Sequence, residues 1–458
     1  MKRRKYLLAC LLAGVTIAMP TGQLSFAAGA QNDISLMAES ESQSETQSES
    51  QSESETQSES QSESQSESES QSESESQSES ESQSESESQS ESESEKESET
   101  ETQDPNVPEG YKGIYKVSDL SLLSSKPDGK YMLMADLDLN SAEQASISVF
   151  RGTLDGNNHT IKGLKHALFQ VLEEGTVSNL NLSSVQISGS GDAGALANVI
   201  GTGKKSAVTI QNITITGSVT GTGNTGALAG VLKGTDVVIS RIANSATVAG
   251  TANAGGLIGL VQATDDQEGA ASVKLTESYN IGEVSAVTAG GLIGAAEIPN
   301  LAAARNIEIA NCYNAGVLEK GANIVAKITA GNGQVVINKC VGIQFYYSVA
   351  SGMVGTSTMA AGSTQTSGCS ISNSYYYSMN PVYAFETGNC ITGTATALND
   401  VQIKTQSYFK DFDFDGIWAL NAAENGGYPY LKQTTMLPVS YVAPTAGTVL
   451  MDSKTGGK

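Results

Sequence analysis

A glycine-rich motif recurs about every thirty residues through the middle of this chain. The copies read AGALANVI from Ala193, TGALAGVL from Thr225, AGGLIGLV from Ala254 and AGGLIGAA from Ala289. A period of this length is typical of solenoids, in which each repeat is one supersecondary unit that buries its apolar face only against its neighbours. The sequence therefore predicts a stack of similar units.

A second element precedes the motif and consists of alternating apolar and polar residues. In one copy Val208 and Ile210 alternate with Thr209 and Gln211, and the later copies are also rich in β-branched residues. A helical repeat would need a 3.6-residue apolar period, whereas a period of two is typical of strands. The sequence predicts an all-β fold, a parallel β-helix with glycine at its corners. One apolar position aligns the copies: Ile210, Ile239, Leu275, Ile309, Ile337 and Ile371. Successive members of this series are 29, 36, 34, 28 and 34 residues apart.

Two further positions recur in consecutive copies. Five residues after the aligned position stand Asn244, Asn280 and Asn314. Stacked amides can hydrogen-bond along a solenoid axis, so these residues predict a structural asparagine ladder. Nine residues after the aligned position an aliphatic residue recurs and predicts a parallel ladder of Val219, Val248, Val284 and Leu318.

The ends of such a stack must be closed, because an open terminal coil exposes unpaired strand edges. Residues 105–165 predict an N-terminal cap and first coil, with a hairpin-like turn at Asp155-Gly156-Asn157. The repeats occupy residues 166–380. Residues 381–435 concentrate aromatic side chains, Trp418 among them, and predict a C-terminal capping region that forms an aromatic lid over the last coil. Residues 436–458 are expected to be a flexible tail.

The first hundred residues differ in composition from the rest. Residues 1–30 join a basic start to an apolar stretch and a small-residue exit, which predicts a signal peptide. A lipoprotein reading with Cys10 as the anchor leaves too short an apolar core before it. Residues 31–104 form a low-complexity stalk, in which 22 glutamates against one lysine between Glu39 and Thr102 supply −21 of the chain's net charge of −24.

Such an acidic, apolar-poor stalk predicts disorder and a solvated spacer, with a glycosylated stalk or a weak cation-binding brush as alternatives. Its charge disfavours nucleic acid and anionic membranes as partners. No membrane insertion of the mature chain is expected.

The cysteines and tyrosines of the repeat region give the candidate site residues. Cys312 and Cys340 are interpreted as small apolar residues stacked in strands, and Cys369 with Cys390 as a candidate disulfide. Aromatic runs suggest a binding surface that can stack on sugars or anchor a protein, unless a C-terminal lid buries them. Its candidate residues are Tyr346, Tyr347, Tyr375, Tyr376 and Tyr377.

Residue patterns for catalysis are largely missing from the sequence. A zinc peptidase would need His-Glu-x-x-His, but the chain has two histidines, His159 and His166, seven residues apart. A sugar-cleaving site would need paired carboxylates or a calcium cluster, whereas the acids of the repeats are scattered and the densest group, Thr264–Glu268, lies in a variable insertion. The sequence predicts no catalytic, cofactor-binding or metal-binding residues, and a non-enzymatic protein.

The repeats also resemble a known family. GGLIGLV, together with strand units of the form Leu/Ile-x-x-x-Tyr-Asn-x-Gly-x-Val/Leu, resembles the GLUG motif of bacterial surface proteins. FRGTLDGNNHTIKGL, from Phe150, resembles the segment that precedes such repeats, and DFDFDGIWALNAAENGGYPYL, from Asp411, resembles the module that closes them. The similarity covers about residues 111–432, although the segment before Phe150 lacks the usual Trp-x-Pro-Ile run and the repeats around 321–350 are degenerate.

The resemblance implies a right-handed parallel β-helix on or outside the cell, as in adhesin-like proteins and some immunoglobulin A-cleaving zinc peptidases. We expect a secreted or cell-surface protein of a Gram-positive bacterium. Its role would be adhesion, with glycans or host or envelope proteins as partners. The alternative is a polysaccharide lyase or hydrolase, or an ancillary carbohydrate-binding module.

Overall fold

The structure is a computed structural model that describes residues 104–142, 146–202, 207–233, 236–263, 271–301, 304–318, 321–343, 352–377 and 390–437. The chain divides into two compact units at residues 95 and 96, and every described residue belongs to the second. The predicted signal peptide and nearly all of the predicted stalk lie outside the described residues. So do Thr264–Glu268 and two of the candidate tyrosines, Tyr346 and Tyr347.

The described part is an all-β fold built mainly from parallel sheets. The largest, called here the first sheet, comprises Lys112–Ile114, Lys130–Leu133, Leu137–Asp138, Thr153–Asp155, Thr160–Lys162, Gly175–Gly189, Ala207–Gly221, Asp236–Asn244, Thr247–Gly250, Ala271–Thr276, Tyr279–Asn280, Val284–Ser285, Arg305–Ala310, Tyr313–Asn314, Gln334–Asn338, Val341–Gly342, Cys369–Ser372, Tyr375–Tyr377, Ile391–Gly393 and Thr396–Leu398.

The second sheet comprises Ile147–Phe150, Phe169–Leu172, Ala197–Ile200, Ala229–Leu232, Ile258–Gln262, Ile293–Ile298, Val325–Ala330 and Val354–Met359. The third sheet comprises Thr225–Gly226, Asn253–Gly255 and Thr288–Gly290, and a small antiparallel pair joins Trp418–Ala419 to Tyr430–Leu431. Short α-helices span Ser121–Ser125 and Asp400–Ile403, and single 3₁₀ turns span Val117–Leu120, Gln406–Tyr408 and Asn425–Gly427.

Parallel pairing confirms the register predicted from the repeats. Ile210 lies opposite Ile239 and Ile239 opposite Leu275, and the same alignment continues through Ile309, Ile337 and Ile371. The chain passes from the first sheet to the second and returns to the first one strand further along. Because in-register side chains on one face stack on each other, each aliphatic position becomes a continuous buried column. The predicted ladder of Val219, Val248, Val284 and Leu318 is one of these columns.

A left-handed corner interrupts the first sheet two residues after each aligned position. The residues there have φ between 44° and 57°, an uncommon conformation for residues other than glycine. The register shows that they share one corner, called here the left-handed corner: Asn179, Asn212, Arg241, Glu277, Asn311, Lys339 and Asn373.

The hairpin-like turn predicted at 155–157 is wrong, because a hairpin would join antiparallel strands and the strands on either side of this turn run parallel. Thr153–Asp155 and Thr160–Lys162 each pair in parallel with Gly175–Gly189, so the turn between them is a corner.

The repeated glycine pair is needed for close approach between neighbouring strands. A Cβ atom on Gly256 would lie 2.1 Å from the Gly291 carbonyl oxygen and 2.4 Å from the side-chain carbon of Asn280. Gly256→Ala should therefore lower the free energy of unfolding by about 3 kcal/mol. Gly191→Ala is the matched control, because a Cβ there meets no atom within 4 Å. Denaturant unfolding checks both variants, and equal stability of the two would contradict this packing.

The C-terminal segment (residues 399–437) lies along one flank of the strands. Its aromatic residues pack on a column of first-sheet side chains, called here the tyrosine column: Tyr279, Tyr313 and Tyr375. Val341 occupies the position between the last two. Because Tyr279 belongs to a strand well before the last, the segment covers the side of several repeats and not only the end at which the lid was predicted.

Candidate functional site

The three aligned asparagines form a chain of amide hydrogen bonds. The amide nitrogen of Asn244 donates to the side-chain oxygen of Asn280 over 2.7 Å, and that of Asn280 donates to Asn314 over 2.9 Å. Each side-chain oxygen also accepts from the backbone amide two residues later, over 2.9–3.2 Å. All three residues are fully buried. The amides therefore satisfy each other and the backbone, which is a structural task.

The ends of this ladder are set by the residues at the same register position. Ile215 precedes Asn244 in the column, and Gly342 follows Asn314. At that end the Asn314 amide nitrogen donates to the side-chain oxygen of Asn323 over 3.5 Å, and the Asn323 nitrogen donates to the Gly352 carbonyl over 3.1 Å. Asn323 comes from the turn that leads into the second sheet, so the sequence period did not reveal it.

The described candidate tyrosines do not form an exposed surface, and this prediction is wrong for Tyr375 and Tyr376. They are 6% and 7% exposed. Tyr375 lies edge-on to Phe409 and Phe412 of the C-terminal segment and accepts a hydrogen bond from the Lys410 amide over 2.8 Å. Alternation along the strand turns Tyr376 into the interior core instead.

Tyr377 is half-buried against Tyr428. The C-terminal segment and the core thus use the described part of the aromatic area that the sequence suggested for a ligand.

The register does not favour the candidate disulfide between the buried residues Cys369 and Cys390, because Cys369 lies opposite Ile391 and Cys390 is offset by one residue. A one-residue offset in a strand turns side chains to opposite faces. The structure contains no disulfide between these two residues, nor between Cys312 and Cys340.

Cys312 and Cys340, interpreted as apolar fillers, have specific hydrogen bonds. Their thiols donate to the carbonyls of Ala310 and Asn338, two residues earlier, over 3.3 and 3.5 Å. One hydrogen bond of each thiol is therefore local, to the residue two positions earlier in the chain.

The accessible part of the first sheet, before the left-handed corner, is mainly hydroxyl and amide in character. Two outward columns form this surface, called here the hydroxyl face: Thr153, Thr176 and Thr209 in one, and Asp155, Gln211, Ser240 and Thr276 in the other, where the buried Ser178 lies between Asp155 and Gln211. Lys130 precedes Thr153 in the first column. Further along, the first column continues with Val238, Lys274 and Glu308, the last two 3.9 Å apart as an exposed ion pair. Such side chains offer neutral donors and acceptors on a regular spacing of about 4.8 Å.

Charged groups near this face are paired locally. Arg151 donates to Asp128 over 2.8 Å and to Glu173 over 2.9 Å. The Thr160 amide and then His159 donate to Asp136 and hold the pKa of that carboxyl below its usual value. Within the described ranges, no three histidine, cysteine, aspartate or glutamate side chains come together as a metal site. Those ranges also contain no helix long and apolar enough to span a bilayer.

Tyr279 links the tyrosine column to the end of the C-terminal segment. Its hydroxyl donates to the Thr435 carbonyl and accepts from the Leu437 amide, both over 2.8 Å. Burial raises the pKa of this hydroxyl to about 12, against about 10 in the unfolded chain. Between pH ~10 and pH ~12 the Tyr279 hydroxyl loses its proton only in the unfolded chain. The stabilisation is therefore complete below pH ~10 and is lost as the pH rises towards ~12.

We expect the free energy of unfolding to fall by roughly 2–3 kcal/mol across this pH range because of Tyr279. Tyr279→Phe removes the ionisable group, and its stability should fall less steeply with pH. Denaturant titrations of both proteins at a series of alkaline pH values test this. Parallel curves would show that Tyr279 does not titrate with folding.

The fold and the hydroxyl face define a class of all-β proteins that are built mainly from parallel sheets and present regularly spaced side chains. A family model described as the M26 IgA1-specific metallo-endopeptidase N-terminal region matches residues 108–217. Immunoglobulin A1 proteases of Streptococcus sanguinis and of Streptococcus pneumoniae (strain ATCC BAA-255 / R6) are each 34% identical to this chain over 116 residues. Each alignment covers 23% of this chain and 6% of the relative, so the match spans a small part of those proteins.

A solved structure named IgA1 Protease is 18% identical, with a TM-score of 0.43, and the match covers 75% of this chain and 26% of the other. The region matched by the family model runs from the first described strand to the strand Ala207–Gly221. It therefore includes most of the hydroxyl face and precedes the asparagine ladder.

Proposed function

We propose that this protein is a secreted or cell-surface, non-enzymatic protein whose strands wind as a right-handed parallel β-helix of the GLUG type. In this proposal residues 105–165 close the first coil, and the C-terminal segment protects the later coils. The acidic stalk holds the β-helix away from a Gram-positive cell surface. The hydroxyl face binds glycans or host or envelope proteins.

The hydroxyl face is the observation that supports this function best. Apart from Asp155 its side chains are neutral, and they lie in register, with Thr176 on one strand and Thr209 and Gln211 on the next. A glycan presents neutral hydroxyl groups at regular intervals, so a rigid array of threonine, serine and amide groups can form several hydrogen bonds with it. Rigid strands lose little conformational entropy on binding.

The similarity to immunoglobulin A1 proteases supports export more than catalysis. The matched region is described as the N-terminal region of those peptidases, and it covers residues 108–217 here. The sequence contains two histidines and no His-Glu-x-x-His, the pattern that binds zinc in many metallopeptidases. We therefore propose that this chain shares an exported accessory architecture with the relatives and not their reaction.

A polysaccharide lyase or hydrolase is the second candidate, because sugars are the proposed ligand. A hydrolase needs two carboxyl groups about 5–10 Å apart at the bound sugar. Asp155, the acid within the hydroxyl face, accepts hydrogen bonds from the Asn157 amide over 2.8 Å and from the Asn179 side chain over 3.0 Å. The acids beside the face are paired as well, Glu173 with Arg151 and Glu308 with Lys274. Binding without cleavage is thus the better supported proposal.

Glycan-array binding by the exported chain tests the proposal, with polymer cleavage assayed in parallel. Thr209→Arg places a long cation in the centre of the hydroxyl face and should reduce binding at least about tenfold, which corresponds to about 1.4 kcal/mol. Thr220→Arg is the matched control, since it changes the same residue type on the same strand beyond the corner. Equal binding by both variants would place the ligand elsewhere, and cleavage products would favour the enzyme.

A further inference from the structure

Two buried cysteines occupy the same position on neighbouring strand connections. Cys312 directly precedes Tyr313, and Cys340 directly precedes Val341, the parallel partner of Tyr313. The Val341 amide donates to the Cys312 carbonyl over 2.9 Å and fixes the two cysteines beside each other. Neighbouring strands lie about 4.8 Å apart, which is within the range of about 4.4–6.8 Å between the Cα atoms of a disulfide.

The two thiols also point in the same direction. Besides the local bonds described above, each sulfur lies 3.5 Å from a carbonyl oxygen one strand back, that of Leu275 for Cys312 and that of Ile309 for Cys340. Because the two sulfurs have equivalent partners, both belong to one column along the stack. This arrangement differs from that of Cys369 and Cys390, which are offset in register.

Serine occupies the same column on either side of the cysteine pair. Ser278 and Ser374 donate to carbonyls two residues earlier over 2.7 and 2.9 Å, as the thiols do. A hydroxyl therefore meets the packing and hydrogen-bonding needs of this position, and two adjacent sulfur atoms require another reason. Burial is the main cause, and the neighbouring Cys340 the second, of a pKa of the Cys312 thiol well above its ordinary value. The folded protein thus disfavours the reactive thiolate.

We propose that Cys312 and Cys340 form a disulfide bond between neighbouring repeats while the exported chain folds. The oxidant is a disulfide, either a small molecule or an oxidoreductase. One cysteine thiolate attacks the oxidant, forms a mixed disulfide and releases one thiol. The second cysteine thiolate then attacks the mixed disulfide, which forms the Cys312–Cys340 bond and releases the second thiol. The two electrons and two protons thus pass to the oxidant.

Burial sets the order of events and the resistance of the bond. Both cysteines are 0% exposed, so the oxidant reacts before this part of the stack closes. Once folded, the protein shields the bond from thiol reductants. The bond would cross-link one whole circuit, including Val325–Ala330 of the second sheet. This inference rests on the proposed function only in that the protein is exported, and the experiment below supplies the oxidant itself.

The full chain is refolded with reduced and oxidised glutathione, then denatured in N-ethylmaleimide without reductant and weighed by mass spectrometry. All variants contain Cys10→Ser. In the variant Cys369→Ser/Cys390→Ser we expect no maleimide addition, and two additions after reduction. The comparison variant Cys312→Ser/Cys340→Ser, with the serines that the column already accepts, should add two without reduction. Two additions to the first variant would overturn the proposal.

A second measurement uses the wild-type cysteines of the repeats and does not depend on the folding of a variant. Chymotrypsin cleaves at the aromatic residues that lie between the four cysteines, so each cysteine falls on its own peptide. The expected cross-linked peptide joins Cys312 to Cys340. A cross-link to Cys369 or Cys390, or no cross-link, would overturn the proposal. Dithiothreitol should reduce the bond at least roughly tenfold more slowly in the folded protein than in denaturant, and equal rates would contradict the burial.

Discussion

Asn280→Ala should reduce the free energy of unfolding by roughly 3–5 kcal/mol. The side chain of Asn280 makes four hydrogen bonds in a fully buried position, with Asn244, with Asn314 and with both backbone groups of Gly282. Alanine leaves these partners buried without their bonds, and each unsatisfied group costs about 1–3 kcal/mol. Equilibrium denaturation followed by far-ultraviolet circular dichroism measures the loss.

Asn253→Ala is the matched control for this variant. Asn253 also stacks on an equivalent amide, donating to Asn224 over 2.8 Å, but it is only half-buried. Water can replace its partner, so the expected loss is about 1 kcal/mol or less. A loss for Asn280→Ala as small as that of the control would mean that the buried ladder contributes no more than a surface amide.

Trp418→Ala should separate the C-terminal segment from the flank and cost about 3–5 kcal/mol. Trp418 is the only tryptophan of the chain and is 0% exposed. Its ring lies 6.2 Å from that of Tyr313 and 4.9 Å from that of Phe412, and its indole nitrogen donates to the Asn311 side chain over 3.1 Å. Hydrogen exchange of residues 399–437 should rise while that of the earlier strands is retained.

Tyr408→Ala is the control within the same segment, because Tyr408 is 45% exposed. Its stability should change by no more than about 0.5 kcal/mol. If Trp418→Ala increased exchange equally through Gly175–Gly189 and the C-terminal segment, the two would unfold as one unit. The segment would then be part of the stack and not a separate cover.

The C-terminal segment also has a consequence for the proposed binding role. It occupies the tyrosine column and leaves the hydroxyl face of the earlier strands uncovered. A ligand of the intact protein therefore meets threonine, serine and amide groups, whereas loss of the segment would expose tyrosine. Binding that appears only in Trp418→Ala would point to the tyrosine column and against the hydroxyl face.

The strand register could be predicted from the sequence because it depends on a local pattern. Alternation turns Ile210 and its equivalents inward, and a one-residue slip would expose every one of them, so the repeat spacing fixes which residues lie opposite each other. The same spacing is sufficient to align Asn244, Asn280 and Asn314 in one column. The left-handed corner had a weaker signal, since asparagine is common there but arginine, glutamate and lysine also occur.

Contacts between distant parts of the chain were decided by the tertiary structure. Trp418 contacts Asn311 and Thr435 contacts Tyr279 across more than a hundred residues, and no periodicity relates these positions. For that reason the sequence could show that the C-terminal aromatics need burial, but not which flank would provide it. It likewise suggested Tyr375 and Tyr376 as a surface, although one is covered by the segment and the other turns into the core. The repeat determined the stack, because neighbouring strands need each other to bury their apolar faces. Which side of the strands stays uncovered was decided by the flank against which the C-terminal aromatic residues could be buried.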